Sequence, residues 1–88
     1  MSAFGHALAD HQAGRIEAAA AAYRAILEDD PDHADSCHLL GLTLHQRGEN
    51  RLAEPMIRRA LLLNPGVPNY HNSLGLALHG LRRYDEAL

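Results

Sequence analysis

The segment Pro31-Asp32-His33-Ala34-Asp35-Ser36-Cys37-His38 gathers two carboxylates, two imidazoles, a hydroxyl and a thiol. Such a set could serve acid–base or nucleophilic chemistry, or ligate a metal. His33 and Cys37 are spaced i, i+4 and would share one face of a helix. A zinc site needs two further convergent ligands, and the sequence names none. The carboxylates have a plainer explanation at a helix start, with Asp32 as the cap and Asp35 favouring the positive end of the helix. There is no glycine-rich phosphate loop and no hydrolase signature. We therefore expect no catalytic residue, no metal and no cofactor in this chain.

A second set is defined by spacing alone. His11, His45 and His79 recur every 34 residues, and Leu8, Leu42 and Leu76 precede them by one helical turn. Gln12 and Gln46 follow the first two histidines. Adjacent helices pack roughly 8–10 Å apart. Zinc needs imidazole nitrogens about 2 Å away, so three such rungs cannot converge on one ion. Two exposed imidazolium charges about 10 Å apart in water repel by only about 0.4 kcal/mol before screening. An exposed ladder is thus expected to lower stability only slightly between pH 7 and 5.

The elements that carry these residues follow from composition. Of 88 residues, 15 are Ala and 15 are Leu, whereas Val, Ile and Thr together number five. That balance favours helix and leaves little for a sheet. An apolar fraction of 47% is too high for a disordered chain. The length allows one small domain, here taken as 1–88. Eight Arg, no Lys and eleven acids give a net charge of −3, which argues against nucleic acid as a partner. The charge is uneven: residues 1–44 hold seven acids and two Arg (−5), and residues 45–88 hold four acids and six Arg (+2). No apolar run reaches the length of a membrane span, and the amino terminus is not a convincing signal peptide. Cys37 is the only cysteine, which fits a reducing compartment such as the cytoplasm.

The 34-residue spacing extends well beyond the histidines. Ser2/Ser36, Leu8/Leu42, Gly14/Gly48, Ala19/Ala53, Arg24/Arg58, Leu27/Leu61 and Pro31/Pro65 match, as do Leu40/Leu74, Gly41/Gly75, Leu44/Leu78 and Ala53/Ala87. Repeats of about 1–33, 34–67 and 68–88 follow, the last of them truncated. First helices are expected near 2–12, 34–46 and 68–81, second helices near 16–29 and 51–63, and a further one from about 84. Gly14 and Gly48 suit the left-handed position after a first helix, and Pro31 and Pro65 close the second helices. Gly41 and Gly75 fall inside first helices, where glycine costs about 1 kcal/mol against Ala unless a neighbour must approach closely. Ala19, Ala53 and Ala87 are the small residues expected opposite. Pro55 is discordant if its helix starts near 51.

With Leu40-Gly41, Leu44, Ala53, Ile57 and Pro65 at this period, and Tyr84-Asp85-Glu86-Ala87-Leu88 opening a further helix, the chain resembles the tetratricopeptide repeat family. Cys37 occupies the slot where Trp is usual. The resemblance implies an all-α fold of antiparallel helix pairs, stacked as a right-handed superhelical solenoid of about two and a half repeats. It implies a scaffold that binds a protein or peptide in the concave groove lined by the first helices. His11, His45, His79, Leu8, Leu42 and Leu76 would face that groove, with His38, Asn72 and Gln46, and with Asp35 and Asn69 at its border. The phrases His38-Leu39-Leu40-Gly41-Leu42 and Asn64-Pro65-Gly66-Val67-Pro68 also resemble the repeat regions that precede the catalytic domain in bacterial glycosyltransferases related to O-linked N-acetylglucosamine transferase. Leu39 and Ser73 stand where those arrays often carry asparagine. The alternative is therefore an amino-terminal repeat fragment of a larger enzyme. Finally, Leu74, Leu78 and Leu81 would lie on a face that a full sixth helix would cover, so self-association through the C-terminal repeat is expected.

Overall fold

The computed structural model describes residues 2–87, and side-chain surroundings for residues 2–82. Five helices follow one another: α1 (Ala3–Gln12), α2 (Ile16–Asp29), α3 (Ala34–Gln46), α4 (Asn50–Leu63) and α5 (Pro68–Ala87). No strand occurs among the described residues. Each helix packs on the next, and α3 also packs on α5. Among the described residues, no helix is long and apolar enough to cross a membrane.

The two tight turns are built alike. Gly14 has φ +81° and Gly48 φ +80°, a region an L side chain rarely enters. Gly48 donates to the His45 carbonyl (2.9 Å) and Glu49 to that of Leu44 (2.8 Å). Gly14 and Arg15 donate in the same way to His11 (3.1 Å) and Asp10 (2.9 Å). These paired bonds satisfy the last carbonyls of α1 and α3 and reverse the chain within three residues.

The third such turn does not form. Position 82, which corresponds to Gly14 and Gly48, is Arg. A non-glycine residue in the left-handed region costs roughly 1–2 kcal/mol. The helix instead runs on to Ala87, in place of the break near 81–84 and the new helix that the repeat pattern predicts. The side chains of Tyr84, Ala87 and Leu88 assigned to that helix lie outside the described residues.

Small residues set the helix spacing. Ala7, Ala19 and Ala20 are buried with Tyr23 between α1 and α2. A Cβ on Gly41 would lie 2.5 Å from Ile57 Cγ1 and 3.1 Å from the Ala53 carbonyl oxygen, so α3 and α4 meet backbone to side chain there. Gly75 differs: a Cβ there would meet nothing within 4 Å, and the close approach expected of it is absent. Gly80 takes that role in α5, because a Cβ on it would run into the Asn50 side chain.

Helix starts also differ from expectation at one point. His33, not Asp32, caps α3: its Nδ1 accepts from the Ser36 N–H at 3.2 Å and lies 2.7 Å from Ser36 Oγ. Asp32 instead pairs with Arg59 on α4 (3.1 Å), and Arg59 also donates to the Pro31 carbonyl (3.3 Å). Arg59 thereby ties the α2–α3 link to α4. Pro55 lies inside α4, which begins at Asn50, so it has no N–H to offer the carbonyl four residues earlier.

Candidate functional site

The helices α1, α3 and α5 carry every residue expected to face a groove, and Asn72 and Gln46 among them are exposed. Leu8 and Leu42 are half-buried, and Leu76 is 50% exposed. Asn72, Leu76 and His79 are all exposed and fall at i, i+4 and i+7 on α5, hence on one face.

The three laddered histidines have three different surroundings. His11 is half-buried; its Nε2 donates to Gln46 Oε1 at 2.8 Å, and its Nδ1 lies 3.2 Å from the Tyr23 hydroxyl. With Nε2 carrying the proton, Nδ1 accepts from Tyr23. His45 turns toward its own turn, donating from Nδ1 to Asn50 Oδ1 at 2.5 Å. His79 is exposed. Equal spacing along the chain therefore does not give equal rungs.

His38 departs furthest from the groove-facing placement: it is only 8% exposed. Its Nε2 is 2.6 Å from Ser73 Oγ and its ring lies on Tyr70, with centroids 4.7 Å apart. Burial pushes the imidazole below the ordinary histidine range, while the Asp35 carboxylate pulls it up and His11 lowers it further. The Tyr70 hydroxyl donates to Asp35, and burial together with that carboxylate raises the phenol well above its usual value. His38 and Asp35 thus join α3 to α5, the first from a buried position and the second from an exposed one.

Three polar links share one offset. His11–Gln46, Asp35–Tyr70 and His38–Ser73 are each 35 residues apart, one more than the sequence period. A residue on one of these helices thus meets the position just past its repeat equivalent on the next. Tyr70 and Ser73 were not singled out as contact residues from sequence; their spacing to Asp35 and His38 was the available signal.

The tempting segment at 31–38 resolves into structural roles. His33 caps α3. Cys37 is fully buried, with its thiol toward the Pro31 carbonyl (3.9 Å), and burial raises its pKa, so little thiolate is present. Among the described residues, no three His, Cys, Asp or Glu side chains come together as a metal site.

No curated protein matches the chain, so the glycosyltransferase resemblance gains no support there. The family model described as the tetratricopeptide repeat matches residues 10–77. That span includes α2, α3 and α4 whole, the end of α1 and the first half of α5. With three-quarters of its length matched and an all-helical fold of sequentially packed helices, the chain belongs to the tetratricopeptide repeat family.

Proposed function

We propose that this chain is a protein-interaction scaffold without chemistry of its own, and that it binds an extended or helical peptide across α1, α3 and α5. Tetratricopeptide repeats generally mediate protein–protein interaction. In this reading the 34-residue repeats stack as a right-handed superhelical solenoid, whose concave side presents Leu8, Leu42 and Leu76 with His11, Gln46, Asn72 and His79. The observation that carries it is the face of α5, where Leu76 is half exposed between Asn72 and His79. That face holds apolar and neutral polar groups side by side, which suits a ligand with apolar anchors and hydrogen-bonding backbone. Asn72, Leu76 and His79 are not cations, so a ligand chosen for an acidic terminus finds no charge partner among them.

The test is a peptide-display selection against the wild-type chain, followed by titration of the selected peptide. Leu76→Ala combined with His79→Ala is expected to weaken binding by about tenfold or more, equivalent to about 1.4 kcal/mol. Both side chains are exposed, so helicity by circular dichroism is expected to stay unchanged. His45 is a poorer choice, because its bond to Asn50 ties it to the α3–α4 turn. Unaltered affinity in the double variant rejects this face as the site.

A further inference from the structure

Matching positions of the first two repeats have different surroundings. Cys37, Leu40 and Ala60 are buried. The residues 34 positions earlier are Ala3, His6 and Ile26, and they line an open cleft of about 450 Å³ between α1 and α2. Asp29 and Asp30 line the same cleft, where the second repeat has Leu63 and Asn64. The surface that is covered in repeat two is therefore open, apolar and acid-edged in repeat one.

The other end has the opposite character. Leu62 is 85% exposed, and with Arg58, Leu61 and Leu74 it lines a shallow cleft between α4 and α5 of about 220 Å³. Arg58 and Leu62 are i, i+4 neighbours, so the cation and the leucine project together. Ala22, Ile26 and Asp29 likewise fall on one face of α2. The half of the chain that holds the acidic cleft carries −5, and the half that holds the leucine surface carries +2.

We infer that a second copy of this chain docks head to tail, with the Leu62 and Arg58 surface of one copy entering the α1–α2 cleft of the next. Leu62 buries against Ile26 and Ala22, and Arg58 faces Asp29 and Asp30. Arg58 already pairs with Glu54 on its own helix, and the incoming carboxylates share its guanidinium. The two surfaces are different, so the contact is heterologous: every added copy leaves one acceptor and one donor end, and the assembly grows. The inference does not rest on the peptide-binding reading, because neither end includes the α5 face of Asn72, Leu76 and His79.

Sedimentation velocity of the wild type, two variants and their mixture tests it. The wild type is expected to exceed its 9.6 kDa monomer mass as concentration rises, and to return toward it at high salt, where exposed charges are screened. Leu62→Glu removes the donor end, and Asp29→Arg with Asp30→Arg reverses the acceptor end; each variant alone is expected to be monomeric. Their equimolar mixture is expected to form a one-to-one dimer, because one intact end of each remains. A wild type that stays monomeric at every concentration overturns the inference. So does an Asp29/Asp30 variant that associates as the wild type does, or a mixture of folded variants that stays monomeric. The substituted positions are exposed, and circular dichroism checks the fold. Should a variant lose its helix signal, the wild-type salt series decides, and association indifferent to salt overturns the docking.

Discussion

Burial holds the His38 imidazole neutral below the pH at which a free histidine takes up its proton, against the opposing pull of Asp35. The unfolded chain binds that proton near pH 6.5, whereas the folded chain binds it only at lower pH. Between those two values the unfolded state holds more protons, so stability falls as pH falls. We predict that urea midpoints drop between pH 7.5 and pH 5, and that His38→Gln flattens part of that slope. Gln can still bond to Ser73 but cannot take up a proton. An identical slope in wild type and variant would show that His38 does not contribute. The sequence brought out His11, His45 and His79 because identity repeats every 34 residues, and it marked Cys37 as packed. It did not reveal that His38 is the buried histidine or that His45 bonds to Asn50. A period states which positions are equivalent, whereas the partner of a side chain depends on which residue stands 35 positions on, as in His38–Ser73. The structure also replaces the expectation of a uniform ladder: His11 and His45 are half-buried and hydrogen-bonded, whereas His79 is exposed.

Helix boundaries were far more legible, because each has a local chemical cause. Gly14 and Gly48 mark the tight turns by their backbone freedom, and Pro31 and Pro65 mark the longer links. The same reasoning predicted a turn near residue 82, from the typical run Tyr84-Asp85-Glu86-Ala87-Leu88, and gave too little weight to Arg82 in the glycine position. Among the mid-helix glycines, the pattern treated Gly41 and Gly75 as equivalent, whereas only Gly41 has a helix pressed against it. That difference is measurable. Gly41→Ala is expected to destabilise the fold by about 1–3 kcal/mol, since its Cβ must displace Ile57 or the Ala53 backbone. Gly75→Ala, with open space around the added methyl, is expected to stabilise it by roughly 0.5–1 kcal/mol through helix propensity alone. Thermal or urea melts of the two variants check both signs. A loss of stability in Gly75→Ala would mean that a neighbour approaches α5 there.

As a molecule, the chain is elongated, 42 × 28 × 21 Å, because each helix packs mainly on its successor and the stack grows along one direction. Such an architecture exposes a long face relative to its mass and has two dissimilar ends. The face supports the peptide-binding reading, and the ends, acid-edged at one and leucine-rich at the other, support head-to-tail association. The all-helical fold was readable from Ala and Leu content. The chemical character of the face was readable only in part, since helical spacing placed Leu76 and His79 together but could not tell that His38 leaves the surface. The central claim is that ligand binds the α1–α3–α5 face. It is tested most directly by titrating a display-selected peptide into isotope-labelled protein and mapping amide and methyl shift changes. The account predicts saturable changes centred on Leu8, Leu42, Asn72, Leu76 and His79, with α2 and α4 largely undisturbed. Saturable changes concentrated instead on the outer faces of α2 and α4 would contradict it.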